Sequence, residues 1–216
     1  MPHRKTSSGE AAISERGAYV SRGGAKLKFA LDRLGLDLAG RVCADFGCST
    51  GGFTDCMLQE GAARVYAVDT GYGMLAWTLR QDGRVVVMER TNAMHVELPE
   101  PVDVVTADVA WTRQRHIVPS ALRRVRPGGL ILSLFKPQYE SGREHVRRGR
   151  LDPARFEEVL EATLAGLAAE GLPVAEVVRL PHERKSKNPE AFLLVRPADC
   201  APPATPGSEA PPRTRS

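Results

Sequence analysis

The chain has 216 residues, 42% of them hydrophobic and 26% charged, with a formal net charge of +4. That length suits one domain with a sizeable core, and no apolar run reaches the roughly 18 residues a membrane span requires. The pI of about 9.0 is only a moderate basic bias. It argues against a strongly acidic protein and leaves the placement of the charges to decide what they serve.

Residues 1–16 are polar and non-periodic, and residues 198–216 are Pro-rich with few large apolar side chains. Neither stretch can bury enough surface to offset its ordering entropy, so both are expected to be flexible tails around one domain at 17–197. No apolar segment follows the N-terminal charges, so no secretory signal is expected. Cys43, Cys48, Cys56 and Cys200 lack zinc-ligand spacing, which fits a reducing, cytoplasmic setting without disulfides or a bound metal.

Within the domain, Leu27, Ala30, Leu31 and Leu34 recur at helical spacing and predict a helix over 24–34. A short strand over 41–46 stops at Gly47. The turn Gly47-Cys48-Ser49-Thr50-Gly51-Gly52 leads into a helix over 53–60. Strands follow at 65–68, 85–88 and 102–107, with a helix over 74–80 between the first two. A helix over 116–126 is expected to end at Pro127-Gly128-Gly129, before a fifth strand at 130–135. Pro153 fits the first turn of a longer helix stopped by Gly171. Strands at 174–180 and 191–195 close the chain, and a hairpin of these two at one edge is one arrangement open to them. The alternation predicts an α/β fold, a mostly parallel sheet with helices on both faces. Ligands of such sheets bind beyond the carboxyl ends of the strands. Asp45, Asp69, Asp108 and Lys136 all fall at ends of that kind.

The turn after the first strand is the first functional candidate. Its glycines allow close backbone approach to a ligand, and Asp69, ending the next strand, can accept hydrogen bonds from both hydroxyls of an adenosine ribose. A dinucleotide site would want G-x-G-x-x-G with a pyrophosphate on the helix N-terminus. Here Asp45 precedes Gly47-x-x-x-Gly51-Gly52, and a carboxylate repels a pyrophosphate but favours a sulfonium and an amino group. The spacing therefore points to S-adenosylmethionine, with Asp45, Gly47, Ser49, Thr50, Gly51, Gly52, Phe53 and Asp69 as candidate contacts. Asn92 reads equally as an adenine contact or a plain turn residue.

Lys26, Asp108, Lys136 and Glu190 each read alone as a surface charge. Converging on one rim, they would form a charge-balanced site able to activate a hydroxyl. A free lysine is nearly all ammonium at neutral pH, and a second lysine and a sulfonium nearby would both favour the neutral amine. Basic residues gather at Arg113, Arg115, His116, Arg123, Arg124 and Arg126, then at Arg143, His145, Arg147, Arg148 and Arg150, then at Arg184, Lys185 and Lys187. Three such patches suit a polyanion, since each phosphate contact adds affinity through counterion release. From these patches Arg113, Arg115, Arg143, Arg147, Arg148, Arg184 and Lys185, together with Arg22, are the candidate contacts to such a polyanion.

The runs Tyr19-Val20-Ser21-Arg22-Gly23-Gly24-Ala25-Lys26-Leu27, Asp45 to Cys56, Tyr66 to Gly73, Glu89-Arg90-Thr91-Asn92 and Lys136 to Arg143 resemble the TlyA family of ribosomal RNA 2′-O-methyltransferases, within the FtsJ-like group. The resemblance covers about residues 18–195. It implies a Rossmann-like class I methyltransferase with a seven-stranded sheet, S-adenosylmethionine as donor, and a Lys-Asp-Lys-Glu tetrad falling on Lys26, Asp108, Lys136 and Glu190. Lys136 is the implied activator of a ribose hydroxyl.

Members usually begin with a small RNA-binding domain, for which the N-terminal residues here are too few. RNA capture is then expected to rest on the basic patches, the tails or another protein, the chain acting as a monomer or with an RNA-binding partner protein. After Asp108 the family's Ser-Phe-Ile-type run is replaced by Ala110-Trp111-Thr112-Arg113-Gln114-Arg115. The usual Gly-Asn before the last tetrad residue becomes Lys187-Asn188-Pro189. The runner-up reading is a non-catalytic RNA-binding or hemolysin-like protein that keeps the fold; a small-molecule methyltransferase or a dehydrogenase fits the basic surface and the lysine pair less well.

Overall fold

The computed structural model describes residues 17–181 and 187–197. The expected tails at 1–16 and 198–216, and with them Arg184 and Lys185, lie outside the described residues.

Helix α1 (Arg22–Leu34) opens at Ser21, whose hydroxyl accepts a hydrogen bond from the Gly23 N–H at 3.3 Å, and closes at Gly35 in the left-handed region. Its Leu27, Ala30 and Leu31 are buried, as their spacing requires. Then follow β1 (Val42–Phe46), α2 (Gly52–Gln59), β2 (Arg64–Val68), α3 (Trp77–Arg80), β3 (Val85–Met88), β4 (Val102–Ala107), α4 (Gln114–Leu122) and β5 (Val125–Phe135). An excursion carries α5 (Pro137–Glu140) and a small hairpin, β6 (Val146–Arg147) with β7 (Arg150–Leu151). The chain ends with α6 (Phe156–Ala169), β8 (Glu176–Arg179) and β9 (Ala191–Val195).

The seven-stranded sheet has the order β3-β2-β1-β4-β5-β9-β8. Strands β1 to β5 are mutually parallel, and β9 runs antiparallel to both its neighbours. Alternation along the strands sorts the core into two layers. Cys43, Val65, Val104 and Leu132 meet α1 and α2 on one face; Ala44, Tyr66, Val105 and Ile131 meet α4 and α6 on the other. Strand order reverses between β1 and β4, which opens a crevice above their carboxyl ends.

Two sequence expectations are corrected. The helix expected over 74–80 is only the single turn of α3. Helix α4 stops at Leu122, and Pro127-Gly128-Gly129 lies inside β5, where the register with β4 shifts between Val102 and Val104. The last two strands pair antiparallel as the hairpin at one edge, with β8 outermost and β9 beside β5. The β6–β7 hairpin had no sequence signal of alternation because each strand is only two residues long.

Candidate active site

Two adjoining cavities lie over the β1–β4 crevice and share Gly47, Ser49 and Asp108 as walls. The larger, about 590 Å³, is bounded by Asp69, Asn92, Trp111 and Lys136. The smaller, about 230 Å³, is bounded by Arg22, Lys26, Asp45, Gly52 and Lys187. The larger falls within the range of small-molecule sites.

The turn at 47–52 is tied down from several sides. Gly47 N–H and Cys48 N–H both donate to the Val68 carbonyl, at 2.8 and 3.1 Å. Ser49, in the left-handed region at φ 49°, donates its N–H to Asp69 Oδ2 at 2.8 Å. Asp69 Oδ1 accepts from Gly71 N–H at 2.7 Å. Each Asp69 oxygen thus braces one loop of the cavity mouth while keeping lone pairs for a ligand. The glycines divide their work. Gly47 faces the cavities, Gly51 is buried against Leu75 and Leu79, and Gly52 lets α2 approach the start of α1, where a Cβ would lie 2.9 Å from the Gly24 nitrogen. Phe53 packs into the core against Phe192, ring centroids 5.5 Å apart, and touches the smaller cavity with one edge.

Asp45 is fully buried beneath this turn. Its Oδ2 accepts from the Thr54 N–H at 2.9 Å and the Thr54 hydroxyl at 2.7 Å, and its Oδ1 accepts from the Thr106 hydroxyl at 3.2 Å. Neither threonine was among the sequence candidates, because nothing in their local pattern marks them as partners of a residue on another element. Burial pushes the Asp45 carboxyl up to about 7, against the opposing pull of the hydrogen bonds from Thr54 and Thr106. The folded chain therefore binds more protons than the unfolded chain between about pH 4 and 7, and the contribution of Asp45 to stability falls as pH rises through that window. Asp45→Asn should remove this slope. Denaturant unfolding at pH 5 and pH 8 should show the variant gaining about 1–3 kcal/mol on the parent between the two conditions; a constant difference would contradict a buried, proton-binding Asp45. Burial likewise pushes the thiols of Cys43, Cys48 and Cys56 up, so all three stay neutral in the core.

The four residues expected to converge do so. Phe135 pairs with Ala191, which sets Lys136 and Glu190 side by side just past the ends of β5 and β9. Asp108 follows β4, next to β5 in the sheet. Lys136 Nζ is ion-paired with Asp108 Oδ1, and Lys26 Nζ, from α1, with Glu190 Oε2. All four side chains are between 17% and 28% exposed, so each reaches solvent from a walled position.

Asn92 is exposed at the mouth of the larger cavity, and its Oδ1 accepts from Met94 N–H at 2.9 Å. It therefore serves the turn and leaves its amide NH₂ for a ligand. The loop after Asp108 was legible only as an oddity. Trp111 is 87% exposed at φ 62°, with its ring 5.3 Å from that of Tyr139. The buried Gln114 anchors the far end of this loop. Its side chain donates to the Leu134 carbonyl at 3.1 Å and accepts from the Ser133 hydroxyl at 2.6 Å, while its N–H donates to Glu140 at 2.7 Å.

The basic patches separate. Arg22, Arg113 and Arg115 are exposed toward the crevice end of the sheet, and Arg147 and Arg148 are exposed on the β6–β7 hairpin. Arg143 opens the short turn before that hairpin. Arg124 and Arg126 sit at the opposite end, paired with Glu97 and Asp103 and donating to backbone carbonyls, so they brace the fold. No group of three or more His, Cys, Asp or Glu suited to a metal occurs among the described residues. No described helix is long and apolar enough to cross a membrane.

A three-layer α/β/α sheet in this order, with one reversed strand beside β5 and a crevice over the β1–β4 switch, is the architecture of Rossmann-like methyltransferases. Residues 19–196 match the family described as FtsJ-like methyltransferase. The chain belongs to that family. It is 41% identical over 189 residues to the 16S/23S rRNA (cytidine-2′-O)-methyltransferase TlyA of Mycobacterium tuberculosis, covering 85% of this chain and 70% of that one. Over 162 residues it is 45% identical to YqxC of Bacillus subtilis, a candidate rRNA methyltransferase, covering 71% of this chain and 57% of YqxC. The chain therefore spans only part of these relatives. Among solved structures, a candidate hemolysin from Lactococcus lactis superposes with a TM-score of 0.77 at 37% identity, covering 83% of this chain and 89% of that one.

Proposed function

We propose that this chain transfers a methyl group from S-adenosylmethionine to a ribose 2′-hydroxyl of ribosomal RNA. One observation carries the reading. Two lysine–carboxylate pairs stand side by side at the rim of the crevice that the 47–52 turn floors.

The residues present suit the donor. Asp69, on the wall of the larger cavity, favours a sulfonium or an amino group and opposes a pyrophosphate, while Asp108 there is offset by Lys136. Asp69 would hold the donor's ribose hydroxyls, Asn92 the adenine edge, and the backbone from Gly47 to Gly52 the amino-acid end. The donor supplies an electrophilic methyl group on sulfur, and everything else falls to the chain. Lys136 Nζ, once its ammonium has given a proton to solvent, would take the proton of the 2′-hydroxyl, freeing that oxygen to accept the donor's methyl group. Asp108 orients that amine, and Glu190 holds Lys26 as the charged partner beside it. Fixing the hydroxyl in line with the methyl group supplies the entropic part of the acceleration.

RNA capture would fall to Arg22, Arg113, Arg115 and the hairpin arginines, in a monomer or with an RNA-binding partner protein. A ribosomal acceptor places the reaction in the cytoplasm. The exposed Trp111, backed by the half-buried Tyr139, offers a face for an unpaired base. Trp111→Ala is expected to raise KM for RNA about tenfold, the order of one lost stack, with donor affinity unchanged. An unaltered KM would remove Trp111 from RNA recognition.

The test of the whole reading has two arms. Calorimetry should show S-adenosylmethionine binding without RNA. Labelled donor should transfer its methyl group to rRNA from cells lacking this gene, at a ribose position that 2′-O-methyl mapping identifies. No binding at millimolar donor would favour the non-catalytic alternative instead.

A further inference from the structure

The excursion between β5 and α6 has a feature that methyl transfer by itself does not explain. Arg147 pairs with Arg150 across the β6–β7 hairpin, leaving Arg148 and Gly149 as a two-residue turn. Both have positive φ, 51° and 76°. Such a turn favours asparagine, aspartate or glycine at its first position, because a longer side chain is disfavoured in the left-handed region. Here an arginine occupies it. Arg147 and Arg148 are exposed, and neither makes an ion pair among the described residues. A strained backbone that presents an unpaired cation at a hairpin tip is a reason to look for its anion.

A second observation says how that tip is held relative to the rim. Asn188 holds the hairpin with both ends of its amide. Its Nδ2 donates to the Gly149 carbonyl at 3.0 Å, and its Oδ1 accepts from the Leu151 N–H at 3.0 Å. Asn188 stands two residues before Glu190, which is paired with Lys26. On its other side the hairpin leads back through α5 to Lys136. The tip is thus tied to both halves of the four-residue rim, through Asn188 on one side and α5 on the other.

We infer that the β6–β7 hairpin is a grip for the phosphodiester backbone of the acceptor RNA, and that Asn188 is the positioning residue that keeps it in register with Glu190. The inference rests on the RNA methyltransferase reading above and specifies the hairpin contact as two neighbouring phosphates held in a register set by Asn188. Arg148 binds a phosphate from the turn and Arg147 its neighbour. The bidentate geometry of guanidinium on phosphate fixes the strand's direction, so the strand reaches the rim in one orientation.

The test uses the full chain and poly(C) as the probe, with affinity measured across a salt series. Arg147→Ala/Arg148→Ala should weaken binding about tenfold at 0.1 M salt. It should also reduce the slope of log Kd against log salt by about 1.4, at roughly 0.7 per phosphate on a single strand. Donor affinity should not change. Arg148→Gly removes the strain along with the charge, so it should keep or raise Tm while still weakening poly(C) binding; folding failure cannot produce that combination. Asn188→Ala keeps both arginines and should lower kcat on rRNA with donor affinity intact, and Asn188→Asp, which lacks the donating NH₂, should not rescue it. An unchanged salt slope in the double variant, or full poly(C) affinity in Arg148→Gly, overturns the grip. Parental kcat in Asn188→Ala overturns the coupling. Poly(C) binding without methyl transfer to rRNA by the parent would end the enzymatic reading and leave the grip standing; methyl transfer with an unchanged slope in the double variant would do the reverse.

Discussion

Lys136→Ala is expected to reduce methyl transfer by about 10²–10⁴ at saturating RNA and donor, the usual worth of a positioned general base. Donor affinity should stay within a few-fold, because Lys136 meets the larger cavity at its edge and the turn at 47–52 is held by Asp69 and Val68. The alanine variant alone does not separate the loss of a base from the loss of Asp108's partner. Lys136→Arg does. A guanidinium can keep the ion pair with Asp108, yet it does not give up its proton in a protein and cannot accept one from a hydroxyl. Lys136→Arg should therefore be as inactive as Lys136→Ala while retaining parental stability. Single-turnover transfer from labelled donor reads both variants. An arginine variant within tenfold of the parent would mean that Lys136 acts as a charge, and that the hydroxyl loses its proton elsewhere.

Gly47→Ala should be the most damaging single change in the floor of the site. Gly47 has φ 83°, and a Cβ there would lie 2.7 Å from the Asp108 carbonyl oxygen and 3.3 Å from a Val109 methyl. That oxygen is not free to retreat, since Asp108 N–H donates to the Phe46 carbonyl at 2.9 Å and Gly47 N–H is held by Val68. The left-handed backbone alone costs about 1–2 kcal/mol for alanine. The clash adds a shift of Asp108, and through it of Lys136. We expect a loss of at least about 2 kcal/mol in stability and more than tenfold in donor affinity, read by denaturant unfolding and calorimetry. Gly128→Ala is the control. Its φ is 78° but a Cβ there meets nothing within 4 Å, so it should show the strain without the binding defect. Equal donor affinity in the two variants would mean that the close approach of Gly47 to Asp108 is of no consequence.

The elements that chain order displayed well were those with long or strict periodicity. Helix α1, strands β1 to β4 and β9 all lie within a residue or two of their sequence positions. The ends of α4 and β5 did not, because Pro127-Gly128-Gly129 has the composition of a helix stop and serves here as an irregularity inside a strand. Short elements held by distant contacts, such as the β6–β7 hairpin on Asn188, left no local pattern to read. The basic residues show the same limit. Arg113 and Arg124 look alike in sequence, yet one is exposed toward the crevice and the other is bound to Val96 and Glu97 at the far end of the sheet.

The amino-acid sequence alone determined the alternation of strands and helices, the glycine turn after β1, and which acidic and basic residues stand at strand ends. Those features depend on neighbours close along the chain, where side-chain period and backbone preference act. Tertiary structure alone decided that Lys26 meets Glu190 across 164 residues, that Thr54 and Thr106 close over a buried Asp45, and that Asn188 fastens an arginine hairpin to the rim. Each of those is a contact between elements, and its energy exists only once sheet order and register have brought the two partners to the same end of the fold.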